Sequence, residues 1–424
     1  MEKIYFKTSG CSNNFAESEM MKGIAKTAFL IAKTPDEADV IVLNICTVKG
    51  DDSALSLVKK AREQFPYKQL IVAGCIPIHL IKAIRAIAPE CALMNTHNLD
   101  QINQVIEEVM NNNPIEMMAH TGIIKAGLPR IRKNKVVGII PVSNSCIGRC
   151  TYCSVRPIKG KFYSFPEEKI VDEVKKAVKD GCSEIWLTSQ DNGCYGIDTG
   201  TNLPELLKKV IAVEGDFYVR LGMMNPNSIK QFIDELIEVY KNKKMFKFIH
   251  IPVQSGSNRI LKEMGRQYTV EEFTEIVQKF RKIIPEITLS TDIIAGFPGE
   301  TDEDFEMSAK LVKDILPSAL NISKFRKRPG TPAAKLTALP SEKVQNRSRV
   351  LHTAFEWATL YVNRKWKGWE GIILIDEEGK DGVLIGRNAY YKPVVIQKGN
   401  FNLGDKVKVK VHKFTKHCLY GEIL

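Results

Sequence analysis

The feature that most restricts the fold is an alternation of short apolar runs with amphipathic stretches of helical period. From residue 2 to about 110, the runs 3-KIYFKTSG-10, 38-ADVIVLNI-45 and 69-QLIVAG-74 are each followed by helical periodicity, as in 53-SALSLVKKAREQF-65 and 76-IPIHLIKAIRAIA-88. Strands separated by helices pair in parallel, which predicts an N-terminal doubly wound parallel sheet with helices on both faces. The alternation returns in six runs: 136-VVGIIPVS-143, 184-EIWLTSQ-190, 217-FYVRLGM-223, 248-FIHIPVQ-254, 288-TLSTDIIAG-296 and 319-ALNISKF-325. Six strand and helix units make a partial (β/α)6 barrel, whose strand ends are where catalysis is normally built.

Between these regions, 111-NNNPIEMMAHTGIIKAGLPRIRKNK-135 reads as a linker whose charge is mainly solvated surface. After Pro340 a helix opens at Ser341 and runs towards Trp366. Beyond it, 371-GIILI-375, 393-PVVIQ-397 and 405-DKVKVKVHKF-414 predict a small antiparallel β-barrel. The expected domains are therefore 1–125, 132–358 and 359–424, consistent with a length of 424 residues that exceeds one hydrophobic core.

Charge points to a partner. The chain carries 61 Lys and Arg against 49 Asp and Glu, a net +12 that favours a polyanion, and residues 361–424 hold twelve basic against seven acidic residues. No apolar run reaches the ~18 residues that span a bilayer, and the opening MEKIYFKTSG reads as a strand, so the expectation is a cytoplasmic protein with no membrane. In that compartment ten cysteines point to metal or redox work.

Two cysteine trios stand out. Cys11, Cys46 and Cys75 each follow one of the first strands, and the carboxyl ends of a doubly wound sheet share one edge. Cys146, Cys150 and Cys153 sit in 143-SNSCIGRCTYCSVRP-157 with C-x3-C-x2-C spacing. A closed zinc site needs four protein ligands, so zinc here requires a distant fourth, Cys182 or His250. A 4Fe–4S cluster held by three thiolates leaves one iron open to a small molecule. Cys91, Cys182, Cys194 and Cys418 lie outside both trios and read as small buried hydrophobes.

The C-x3-C-x2-C loop, with Tyr152 before its last cysteine, resembles the signature of radical S-adenosylmethionine enzymes. With Cys11, Cys46 and Cys75 in TSGCSNN, LNICTVK and VAGCIPI, the whole chain resembles the radical S-adenosylmethionine methylthiotransferases. TSGCSNNFAESEM and EIWLTSQDNGCYG look most like the threonylcarbamoyladenosine tRNA branch of archaea and eukaryotes.

The resemblance implies two 4Fe–4S clusters, on Cys146, Cys150 and Cys153 and on Cys11, Cys46 and Cys75, and a C-terminal RNA-binding barrel of the TRAM type. It implies S-adenosylmethionine in two roles, one molecule methylating a sulfur and one split to a radical that takes hydrogen from C2 of an adenine. A low-potential electron donor and the anticodon stem-loop of tRNA are the implied partners. Tyr152, Gln190, Asp191, Arg220, Gln254, Asp292 and Gly296 are the implied S-adenosylmethionine contacts. Trp366, Trp369, Tyr390, Tyr391 and Phe414 offer stacking surface or barrel core. One departure is 160-GKFYSFP-166, which lacks the arginine-rich form of relatives and leaves Lys161 alone. The alternatives are a methylthiotransferase acting on isopentenyladenosine tRNA or on a ribosomal protein, and a zinc-stabilised RNA-binding protein.

Overall fold

The computed structural model describes residues 1–47, 50–380 and 382–424 and divides into two compact units. The first comprises residues 1–133, 139–146 and 154–173; the second comprises 134–138, 147–153 and 174–424.

The first unit is built on a six-stranded parallel sheet. Its order is Leu30–Ile31, Lys3–Thr8, Val40–Ile45, Gln69–Gly74, Ala92–Asn95, Glu116–Met117. Every residue of the central strand Val40–Ile45 is buried, as a parallel strand covered on both faces must be. Ile41, Leu43 and Ile45 pack with Ala54 and Val58 of helix Asp51–Gln64 and with Leu80 and Ile84 of helix Ile78–Ile87. Each such fully buried aliphatic side chain contributes about 1.5–3 kcal/mol. The opposite face carries Asn44, whose side chain bonds Asn14 and Ser18 of helix Ser12–Ala25. The expected linker is only partly one. Glu116–Met117 joins the sheet, and Lys125, expected on solvated surface, is buried because it meets a buried carboxylate.

Five of the six expected barrel strands lie in the second unit, and the first, Val137–Pro141, is divided between the two units. Glu184–Thr188 pairs in parallel with Tyr218–Leu221, and Phe248–His250, Thr288–Ala295 and Ala319–Lys324 form a second parallel ladder. A single isolated bridge, Val219 to Met245, joins strand Tyr218–Leu221 to the turn before the second ladder. Helix starts follow the sequence: Pro226 occupies the first turn of Pro226–Ile229, and Thr269 with Glu272 and Thr301 with Asp304 form capping boxes.

Residues 370–423 close a five-stranded barrel in the order Glu370–Glu378, Val383–Asn388, Pro393–Gln397, Leu419–Ile423, Lys406–Phe414. One of its pairings, Pro393–Gln397 with Leu419–Ile423, is parallel rather than antiparallel. Alternate residues Ile373, Ile375, Val407, Val409 and Val411 fill it, with Trp366 as a plug from the preceding helix end.

Candidate functional site

Strand register brings the first trio together. Thr8 pairs with Asn44 and Ile45 with Gly74, so Cys11, Cys46 and Cys75 follow three adjacent strands at one carboxyl edge. The Cys75 amide donates to the Ile45 carbonyl at 3.0 Å. A hydrogen bond with Cys46, and then burial, push the Cys75 thiol well above its ordinary value. Cys11 faces solvent as a residue, yet desolvation, opposed by Asn14, pushes its thiol up, and its Sγ donates to Asn14 Oδ1 at 3.3 Å. Gly10 makes the approach possible: its φ is +132°, and a Cβ there would lie 2.5 Å from the Cys46 Cβ.

Beside the trio lies a buried charge triad that sequence reading missed. Glu17, a turn and a half along the helix that starts at Cys11, accepts from Lys125 Nζ at 2.6 Å and Lys159 Nζ at 2.7 Å on the same oxygen. All three side chains are no more than 2% exposed. Burial would raise the Glu17 pKa, but the two ammonium groups hold it below the usual carboxylate range. Burial pulls Lys125 down to about 8, against Glu17. Burial would also lower Lys159, but the charges of Cys75 and Glu17 overcome it and hold this lysine up. Two cations against one carboxylate leave an excess positive charge facing Cys75 and Cys11. Sulfur donors beside an uncompensated buried cation fit an anionic metal–sulfur group.

The C-x3-C-x2-C loop runs across the division between units. Cys146 ends a segment of the first unit, where Ser145 Oγ donates to the Gly160 carbonyl at 2.7 Å and Asn144 Nδ2 to the Lys159 carbonyl at 2.7 Å. Lys161 is exposed, and its carbonyl accepts from Asn144 Nδ2 at 3.1 Å. Cys150 and Cys153 belong to the second unit, where the Thr151 amide donates to Met264 and the Ala333 amide to Thr151. All three cysteines are partly exposed.

Around Cys150 the structure assembles a polar network. Arg266 donates from Nη1 to Cys150 Sγ at 3.1 Å, from Nε to the Tyr268 hydroxyl at 2.9 Å, and from Nη2 to Asn225 Oδ1. Asn225 in turn donates from Nδ2 to Asp191 at 2.7 Å, and Ser228 Oγ donates to the same carboxylate at 2.7 Å. Asp191 is buried and also accepts from the Gly193 amide. A charged donor on a thiolate stabilises its negative charge, which fits the donor set of an anionic cluster.

The other expected residues are distributed. Tyr152 lies edge-on to Phe297 at 6.4 Å within an apolar cluster that includes Ile260, Met264 and Ile294. Gln190 follows strand Glu184–Thr188, half-buried. Gln254, at φ +73°, donates its amide to the Asp292 carbonyl, and the Asp292 side chain bonds His250 and Asn321. Gly296, at φ +77°, donates its amide to the buried Glu300 carboxylate, which Arg347 pairs. Arg220 lies apart from the Cys150 network, among Trp186, Phe248 and Tyr391. Neither candidate fourth zinc ligand adjoins Cys150: Cys182 Sγ donates to the Lys135 carbonyl, and His250 is held by Asp292.

The aromatic residues expected as stacking surface or barrel core divide: Trp366 is buried, and Trp369, Tyr390, Tyr391 and Phe414 are half-buried. Trp366 belongs to the barrel core, Trp369, Tyr390 and Phe414 pack against that core, and Tyr391 packs on Phe246 and Phe248. The exposed pair is Trp357 and Tyr361, four residues apart on helix Ser341–Arg364, with rings stacked at 5.9 Å and 54% and 48% exposed. Lys365 Nζ lies 5.8 Å from the Tyr361 ring.

Parallel α/β strands with a three-cysteine loop, a separate six-stranded parallel sheet and a closed five-stranded barrel are the parts of a radical S-adenosylmethionine protein. Residues 140–312 match the Radical SAM superfamily, residues 3–96 the uncharacterized protein family UPF0004, and residues 368–424 the TRAM domain. The chain belongs to the threonylcarbamoyladenosine tRNA methylthiotransferase family. It is 39% identical over 429 residues to a probable threonylcarbamoyladenosine tRNA methylthiotransferase of Pyrococcus horikoshii, covering 100% of both chains. It is 35% identical to the threonylcarbamoyladenosine tRNA methylthiotransferase of Homo sapiens, covering 100% of this chain and 74% of that one. Its fold resembles the radical S-adenosylmethionine methyltransferase TsrM of Kitasatospora setae, at TM-score 0.56 and 13% identity over 78% of this chain and 77% of that one. Membership implies a 4Fe–4S cluster and S-adenosylmethionine. Among the described residues no helix is long and apolar enough to cross a membrane.

Proposed function

We propose that this chain adds a methylthio group to C2 of N6-threonylcarbamoyladenosine beside the anticodon of tRNA. The observation that carries the reading is the pairing of two cysteine trios, each with its own cation, in a chain related end to end to methylthiotransferases. Cys146, Cys150 and Cys153 would hold one cluster with an iron left for S-adenosylmethionine, and Cys11, Cys46 and Cys75 a second that carries the sulfur. When bound, these groups supply a single electron from a low-potential donor and a transferable sulfur, which an aromatic C–H bond requires because no acid or base can activate it.

The chain's own residues position and compensate. Arg266 places positive charge on Cys150, and Asp191 fixes Asn225, which orients Arg266. Asp191 is thereby a positioning residue as much as an S-adenosylmethionine contact, the role the resemblance gives it with Tyr152, Gln190, Gln254, Asp292 and Gly296; Arg220, which the resemblance also names, lies among Trp186, Phe248 and Tyr391 and serves a different ligand. Lys159 supplies the charge that thiolates at Cys75 and Cys11 need. The basic C-terminal barrel and the Trp357–Tyr361 stack offer phosphate and base contacts. Residues 1–125, 132–358 and 359–424 then serve as sulfur-carrying, radical and RNA-binding domains, in the cytoplasm, where tRNA and reduced thiols coexist.

The test is mass analysis of nucleosides from tRNA incubated with the reconstituted enzyme. A 2-methylthio derivative of threonylcarbamoyladenosine is expected. Cys46→Ala should keep S-adenosylmethionine cleavage without thiolation, and Cys150→Ala should lose both. Modification of a ribosomal protein with tRNA untouched, or zinc in place of iron, would refute the reading.

A further inference from the structure

A cavity opens beside Arg220. It has a volume of about 360 Å³ and is lined by barrel strand residues and by the C-terminal barrel, among them Arg220, His250, Asn321, Arg387, Lys392 and His417. That volume falls in the range of small-ligand sites. The charges on its wall are unbalanced. Arg387 is paired with Asp376 at 3.1 Å, and His250 with Asp292 at 3.0 Å. Among the described residues Lys392 bonds only neutral oxygens, Ser318 Oγ at 3.0 Å and Asn363 Oδ1 at 3.2 Å. Arg220 has no hydrogen-bond acceptor and no carboxylate among the described residues, and its buried Nε is unpartnered. Instead three rings surround it: Trp186 at 4.9 Å, Phe248 at 5.0 Å and Tyr391 at 5.4 Å. Such a cage fixes a guanidinium by cation–π attraction but satisfies none of its N–H donors in the ring planes. Arg220 is half-buried, and leaving its buried Nε without an acceptor is costly unless a ligand supplies one.

We propose that this cavity seats the threonyl carboxylate of the substrate, with Arg220 as its bidentate partner and the Lys392 amine as a further hydrogen-bond donor. The inference rests on the reading above, which names the substrate. Threonylcarbamoyl is a neutral urea ending in a free carboxylate and a hydroxyl, and a planar fork in a partly apolar enclosure matches the carboxylate. Position agrees. Arg220 is on strand Tyr218–Leu221, five residues before Asn225 in the Cys150 network. At ~3.3 Å per residue that separates the two levels by up to ~16 Å. An adenine with an extended N6 substituent reaches roughly 10 Å from C2 to the carboxylate, so C2 can lie towards Cys150 while the acid end reaches Arg220. An isopentenyl group in the same place would leave the guanidinium unpaired, so the cavity also selects against that substrate.

The experiment uses the full-length, cluster-loaded enzyme and three synthetic anticodon stem-loops: the threonylcarbamoyl form, its threonine carboxamide, and plain adenosine. Binding is measured by titration and product by mass spectrometry. The wild type should bind the acid about 10- to 100-fold more tightly than the amide, the size expected for charge-assisted hydrogen bonds. Arg220→Gln should erase that ratio while Arg220→Lys keeps part of it. Because glutamine loses the cation–π contacts, the acid-to-amide comparison on the wild type also stands without any variant. Equal binding of acid and amide alongside normal product overturns the proposal and leaves the proposed function intact. A full acid preference in folded Arg220→Gln overturns the assignment to this cavity, as does inorganic phosphate competing equally against all three RNAs. No product from any stem-loop removes the functional reading and this inference with it.

Discussion

Glu17→Gln isolates the electrostatics of the first site. Both ammonium groups contact one carboxylate oxygen, so they sit within about 5 Å of each other, and the substitution removes the only charge between them. At an effective dielectric near 20 the exposed repulsion is about 3 kcal/mol, and removing one partner of a buried ion pair typically costs about 3–5 kcal/mol. Lys125 offers partial relief because it already titrates at about 8. We expect a net loss of roughly 3 kcal/mol, equivalent to a ~100-fold rise in local opening. The assay must see this unit. All four tryptophans, at 186, 357, 366 and 369, belong to the other one, so amide hydrogen exchange of helix Ser12–Ala25 is the suitable measurement. The pH sign is fixed as well. A lysine whose folded pKa lies below its unfolded value leaves the unfolded chain binding more protons, so the variant should regain stability as pH rises from 7 towards 10. Glu19→Gln is the control, since Glu19 is equally buried but accepts from the Lys133 amide rather than from two ammonium groups. Unchanged exchange in Glu17→Gln, or an equal effect in Glu19→Gln, would show that the triad does not hold the helix.

Other expectations concern the same structural features. Lys159→Met leaves the neutral Glu17–Lys125 pair, so it should fold but bind less iron at the first trio; iron analysis in a Cys150→Ala background reads that site, and full loading would count against charge compensation. Gly10→Ala puts a Cβ 2.5 Å from Cys46 and 2.8 Å from Asn14, which should cost about 2 kcal/mol or more and lower iron retention at that site, whereas wild-type values would contradict the close approach. His97 is buried beside His120, and desolvation first, then Lys125, pulls its pKa down to about 4. The unfolded chain therefore takes the proton first, and stability should fall by up to about 3 kcal/mol as pH drops from 6.5 to 4, an effect absent from His97→Phe if the assignment is right. Trp357→Ala removes the exposed stack and should weaken tRNA binding by about 5- to 100-fold in filter binding, with undiminished affinity arguing that the pair is not an RNA contact.

The sequence announces what has period or spacing. The runs at 38–45 and 69–74 become the fully covered strands Val40–Ile45 and Gln69–Gly74 because an apolar run flanked by helices has one way to be buried. The convergence of Cys11, Cys46 and Cys75 follows from the same register. Lys125 was illegible because its stretch is polar and irregular; burial there is decided by Glu17, more than a hundred residues away. The C-terminal aromatics stay divided between surface and core in the sequence because composition cannot separate a ring that fills a small barrel from one that lies on it. Trp357 and Tyr361 carry the missed signal, an i, i+4 aromatic pair on a helix whose Lys and Arg neighbours already marked it as exposed.

Cysteine spacing therefore identifies sulfur donors but not what lets them work. Gathering thiols in a protein raises their pKa, as at Cys75 through a hydrogen bond with Cys46 and then burial, so a set able to hold metal needs positive charge delivered beside it. In the first unit that charge comes from Lys159 on the short helix Val155–Lys159, held by Glu17. In the second it comes from Arg266, between the helices Asn258–Glu263 and Val270–Ile283, held by Asn225 and through it by Asp191. Each cation is fixed by an acidic residue buried with it or one step behind it. Removing that acid should misplace the cation without touching a sulfur. Two sites with unrelated backbones meet the same electrostatic requirement, which is why the residues that compensate the thiolates lie outside the cysteine motifs.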